Sequence, residues 1–76
     1  MLDPKALGHT IRRHRLHKGV HLETVAIAIG LTSKQYIRIE QGLADLRLDH
    51  LNVICNLLDM SPARLLWEAE FLDPNQ

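Results

Sequence analysis

Apolar residues recur along this chain at helical spacing, and nowhere do they alternate with the period of two that marks a strand. Glycines and prolines break the pattern into five segments. Asp3-Pro4 opens the first: a capping Asp, then a Pro whose missing N–H costs nothing at the first helical position. Leu7 and Ile11 repeat at i and i+4, His14 falls next on that inward face, and Gly19 ends the segment. A second helix runs from about Leu22 to Ile29, with Val25, Ala26 and Ile29 inward, and stops at Gly30. Thr32 caps a third, Gln35 sits where a capping-box partner belongs, and Gly42 follows the last turn. The fourth, about Leu48 to Leu58, carries Leu48, Leu51, Ile54, Cys55 and Leu58 at helical spacing. Ser61-Pro62 opens a fifth, SPARLLWEAEFL, and Asp73-Pro74 marks its end. The expectation is a small all-α bundle: one domain over residues 1–72 and a frayed tail over 73–76.

Composition narrows this little. The 76 residues suit one modest core, and 46% hydrophobic with 24% charged residues is ordinary for a globular domain. No apolar run is long enough for a signal peptide or a membrane span, so no membrane partner is expected. The single cysteine, Cys55, cannot form an intramolecular disulfide, which fits a reducing cytoplasm. Charge adds more. The net charge is zero, yet residues 1–38 hold seven Lys or Arg against two acids, and residues 39–76 hold two against seven. Four of the five histidines share the basic half. Such asymmetry points to one face for a polyanion, with an unevenly charged solvated surface as the alternative.

The third segment raises the functional question. GLTSKQYIRIEQG has only Tyr36 and Ile39 facing inward, while Ser33, Lys34, Ile37 and Arg38 face out. So short a helix is marginal alone, so its outward row asks for a reason. His9, His14, His17 and His21 have spacings that metal sites use, but they spread round the first helix and past Gly19. Solvated or phosphate-facing histidines, with His14 hydrogen-bonded in the core, are therefore expected, and no metal or cofactor. There is no Ser/His/Asp set, paired carboxylate or glycine-rich phosphate loop, so no catalytic residue is assigned and the chain is not expected to be an enzyme. Cys55, on an apolar stripe, reads as core.

Two helices joined through AIAIGLT, the second opening with Thr and closing with Gly, suggest a helix-turn-helix. The order of motifs over roughly residues 7 to 66 resembles the lambda-repressor-like family of Xre and Cro-type DNA-binding domains. The resemblance is carried by Gly8, Ile11-Arg12 and Arg15, then Lys18-Gly19-Val20, Val25-Ala26 and Gly30-Leu31-Thr32. It continues through Ile39-Glu40-Gln41-Gly42, Leu48, Leu51, Leu57 or Leu58, and Ser61. It implies a five-helix bundle whose third helix lies in the DNA major groove, with Ser33, Lys34, Ile37 and Arg38 at base edges. Lys34 and Arg38 can donate to guanine O6 and N7, and Ile37 can pack on a thymine methyl; a lone exposed apolar residue is the plain alternative for Ile37. Arg12, Arg13, Lys18, Thr32 and Gln35 become phosphate contacts, although Gln35 also fits the capping box. Arg15 and Glu40 become a structural ion pair joining the first and third helices. The fifth helix has more apolar surface than a monomer needs, and the family dimerises there, which assigns Leu66, Trp67 and Phe71 to a dimer interface; the alternative is that Trp67 and Phe71 cap the monomer's own core.

The chain departs from the family pattern in three places. Leu22 stands where a phosphate-binding Gln is usual, and His21 where a Ser, Thr or Asn cap is usual. The loop after the third helix, usually basic, reads LADLR. Phosphate anchoring weaker than usual is expected. The functional expectation is a cytoplasmic, homodimeric, sequence-specific regulator on double-stranded DNA. The alternative is a protein-interaction module, antitoxin-like or adaptor, that keeps the fold and has lost its DNA face.

Overall fold

The computed structural model of the protein describes residues 2–72, and those residues form α1 (Pro4–Lys18), α2 (Leu22–Ala28), α3 (Ser33–Glu40), α4 (Leu48–Leu57) and α5 (Pro62–Phe71). Each start has a visible cause. Asp3 Oδ1 accepts from the Lys5 N–H at 3.0 Å, and Ser61 Oγ accepts from the Arg64 N–H at 3.0 Å, each just ahead of a Pro. Thr32 and Gln35 close a full capping box: Thr32 Oγ1 accepts from the Gln35 N–H at 3.1 Å, and Gln35 Oε1 from the Thr32 N–H at 2.9 Å. His21 and Arg47, at the starts of α2 and α4, make no side-chain cap. α1 ends on Gly19 at φ +76°, the left-handed conformation that lacks a steric penalty only in glycine. The next residue, Val20, returns its N–H to the Arg15 carbonyl at 3.1 Å.

α1 packs against both α3 and α5, α2 against α3 and α4, and α4 against α5. Ile11, Val25, Tyr36, Ile54 and Leu65 are fully buried at the centre, joined by Ala26, Ile29, Ile39, Leu51, Cys55 and Leu58. Because α1 is flanked on two sides, its buried set is wider than one stripe: Ala6, Gly8, Thr10 and Arg15 join Ile11, while Leu7 is half-buried at the margin. Gly8 marks the closest approach. A Cβ there would lie 2.4 Å from the Glu40 carbonyl oxygen and 2.5 Å from that of Ile39, so only glycine lets α1 reach the end of α3.

The helices expected from the sequence are present, with α2 and α4 each ending one residue sooner, at Ala28 and Leu57. Leu48 is a correction. It is 73% exposed, because it is the first residue of α4 and the turn that faces the core begins at Leu51. The Asp73-Pro74 stop and the tail over 73–76 lie outside the described residues.

Candidate nucleic-acid interface

α3 is short, with eight residues, and three devices hold it. The capping box fixes its first turn. Tyr36 and Ile39 anchor its inner face. At its end Glu40, 5% exposed, forms a paired contact with Arg15, 6% exposed: Nε donates to Oε2 at 2.6 Å and Nη2 to Oε1 at 3.0 Å. Two further bonds complete the buried group. Arg15 Nη1 donates to the Val20 carbonyl at 3.0 Å, and the Tyr36 hydroxyl donates to Glu40 Oε2 at 2.5 Å. The Glu40 side chain raises the Arg15 pKa further, while burial first and Glu40 second push the Tyr36 phenol up. Arg15 is therefore held charged and Tyr36 held as a donor. The expected Arg15–Glu40 pair is present, and more deeply buried than its partly buried expectation.

The outer face of α3 is as the sequence implied. Lys34, Ile37 and Arg38 are exposed and Ser33 half-exposed. Lys34 makes no ion pair among the described residues. Among the described residues Arg38 reaches only the Leu43 carbonyl, at 3.4 Å, a distance at which a hydrogen bond is weak. Both cations are thus available to a ligand in front of α3.

The cations expected at phosphates divide. Arg12 is exposed on the wall of a groove of about 610 Å³ between α1 and α3 that also holds Lys5, Leu22 and Ile37. Arg13, a step of about 100° round the helix, turns away, because the neighbour on that side is α5. Its Nη2 donates to Glu68 Oε1 at 3.1 Å, so Arg13 does not stand beside Arg12. Lys18 donates to Asp59 at 2.6 Å across an exposed pair that water and salt screen strongly. Gln35 and Thr32 are occupied by capping, which leaves the Gln35 amide N–H groups as donors. In the loop after α3, Arg47 is the single basic residue beside Asp45, so that loop offers little positive charge; its contact with Asp49 of α4, at 3.2 Å, is as exposed and screened as the Lys18 pair.

Sequence reasoning missed Glu68. It is buried on α5 and collects three side-chain partners: Arg64 at 2.7 Å, His14 at 2.7 Å and Arg13 at 3.1 Å. Hydrogen bonds from Arg64 first, then His14, hold its carboxyl down to about 2. His14 is hydrogen-bonded as expected, but it lies half-buried between α1 and α5 and not in the core. The Arg64–Glu68 spacing of i,i+4 was the only local signal.

The apolar surplus on α5 also divides. Leu65 is fully buried and Leu66 packs half-buried against the core, so Leu66 serves the monomer's own core. Trp67, Phe71 and Leu72 remain 45%, 67% and 51% exposed. Trp67 and Phe71 have ring centroids 5.8 Å apart, and the Arg64 guanidinium lies 5.1 Å from the Trp67 ring centroid. No group of three or more His, Cys, Asp or Glu residues among the described residues could hold a metal ion, and no described helix is long and apolar enough to cross a membrane.

Residues 6–67 match a family described as helix-turn-helix domain. A comparison with curated proteins finds no match. Among solved structures, the chain is similar to the clp gene regulator ClgR from Corynebacterium glutamicum. One crystal structure of it gives TM-score 0.84 and 31% identity over 92% of this chain and 74% of that one. A second gives 0.83 and 30%, over 100% and 99%. The restriction-modification controller protein C.AhdI from Aeromonas hydrophila gives 0.74 and 28%, over 83% of this chain and 91% of that one. With the α2–turn–α3 unit, the capping box of α3 and the buried Arg15–Glu40 clamp in place, the chain belongs to the helix-turn-helix domain family, as a lambda-repressor-like, Xre-type DNA-binding domain.

Proposed function

We propose that the protein is a sequence-specific transcription regulator that binds a pseudo-palindromic DNA operator as a homodimer in the cytoplasm, without catalysis. One observation carries this: Ser33, Lys34, Ile37 and Arg38 stand outward on a helix whose other face, start and end are all fixed. A fixed helix loses little freedom on entering a major groove, so its side chains read base edges at small entropic cost. Arg12 supplies a phosphate contact from α1, and Lys18 a second by exchanging exposed Asp59 for a phosphate. The Gln35 amide serves the first turn of α3. Arg13 is assigned to α5 and not to the backbone of DNA. Trp67 and Phe71, with Arg64 stacked on the indole, form the anchor for a second copy, and a two-fold dimer spaces the two α3 helices about 34 Å apart. The named neighbours, a gene regulator and a controller protein, support the regulatory class.

A second reading has its own observation. Leu22 and a loop after α3 with Arg47 as its single basic residue weaken two customary phosphate contacts, which favours an interaction module that uses another protein as partner. Salt titration of binding to random duplex DNA separates the two. A regulator loses affinity with a log K against log salt slope of roughly −0.9 per phosphate contacted. An interaction module shows no measurable salt-dependent binding.

A further inference from the structure

The groove between α1 and α3 brings Leu22, a residue with no role so far, beside Ile37 of the base-reading row. Leu22, the first residue of α2, is half-buried against the core, and Ile37 is 37% exposed on the outward face of α3. Both line the same groove. The polar groups beside them are mostly engaged: Arg15 and Glu40 bond each other, and Asp3 caps α1. Lys5 and Arg12 stand on the α1 wall. The groove thus carries two aliphatic side chains, one from each helix of the motif, with cations on its α1 wall and Ile37 itself part of the base-reading row of α3.

A strand of DNA offers such a spot one apolar group. In the major groove only thymine presents a methyl; the other base edges offer donors and acceptors that Leu and Ile cannot satisfy. We propose that Leu22 and Ile37 together read the 5-methyl group of a pyrimidine, so that each half-site requires a thymine, or a 5-methylcytosine, at one fixed position. The inference rests on the DNA-binding reading above. It also gives Leu22 a purpose: an apolar reader occupies the position where the family carries a phosphate-binding amide.

The test is a thymine-to-uracil scan of a site selected from random DNA, since uracil differs only by the missing methyl. Burying one methyl is worth about a fourfold change in affinity, so one position per half-site should lose about fourfold singly and about fifteenfold when both half-sites are changed. The same scan is run with Ile37→Ala and with Leu22→Ala, after thermal melts establish that each folds; Ile37→Ser is a further variant, since Ile37 is the more exposed of the two. In those proteins the thymine and uracil sites should bind alike. A selected site that binds tightly with no uracil step above twofold overturns the methyl reader and leaves DNA binding intact. A uracil step that persists in the Leu22 variant or in the Ile37 variants overturns it as well. No salt-dependent binding to any duplex would sink the regulator reading, and this inference with it.

Discussion

Replacing Arg15 with Met tests whether the buried clamp fixes α3. Arg15 and Glu40 are 6% and 5% exposed, so the variant leaves a carboxylate out of water with, among the described residues, only the Tyr36 hydroxyl as a side-chain donor. Stranding one member of a buried pair costs about 3–5 kcal/mol. A domain of 76 residues has a total stability of roughly 4–11 kcal/mol, so the loss takes a large share of it. The midpoint should fall by on the order of 15 °C or more. Glu40→Gln should cost a comparable amount, because Arg15 then keeps only the Val20 carbonyl as a strong acceptor. The double variant removes both charges together, and should be less destabilised than the sum by about 2 kcal/mol or more. Tyr36→Phe, which deletes one hydrogen bond to a charged group, should cost about 1.5–3 kcal/mol and keeps the test usable if a charge variant fails to fold. Urea melts followed by circular dichroism give all four values. Additive single losses would mean that the two side chains do not work as a unit, and the clamp argument would fail.

Glu68, held at about 2 against an ordinary 4.5, contributes stability that is full above pH 4.5 and lost as pH falls toward 2; acid melts of Glu68→Gln should lack that part of the pH dependence. The wild type should sediment as a dimer at micromolar concentration, and Trp67→Ala should shift it toward monomer and weaken operator binding; a monomeric wild type at high concentration refutes the interface. Arg38→Ala should cost about 1–3 kcal/mol on the preferred site and relax one base pair per half-site, while Arg12→Ala should weaken all sequences alike and lower the salt slope by roughly one per subunit. Gly8→Ala should destabilise by about 1–3 kcal/mol in urea melts, because the added methyl meets backbone carbonyls that cannot swing aside.

The parts of this fold legible in the sequence were those set by local chemistry. Asp3-Pro4, Thr32 with Gln35, and Ser61-Pro62 announce helix starts through short hydrogen bonds, and all three are made. The Arg15–Glu40 pair came only through family resemblance, since nothing local links residues 25 apart in sequence. Glu68 stayed hidden for a related reason: two of its partners lie 54 and 55 residues away, and an acid on an amphipathic helix looks like one more solvated charge. Arg12 and Arg13 could not be told apart either. Which of two adjacent arginines faces the groove depends on where α5 docks on α1, and periodicity within α1 does not contain that. Leu48 fitted the stripe of α4 by spacing, but a first-turn residue precedes the packed surface.

Selection of bound sequences from a random duplex pool tests the central claim most directly, with wild type and a Lys34→Ala, Arg38→Ala double variant run side by side. The account predicts that wild type enriches a two-fold-related sequence whose half-sites are centred about one helical turn apart, and that the double variant loses the base preference within each half-site. A wild type that enriches nothing, or a double variant that enriches the same sequence, would contradict it.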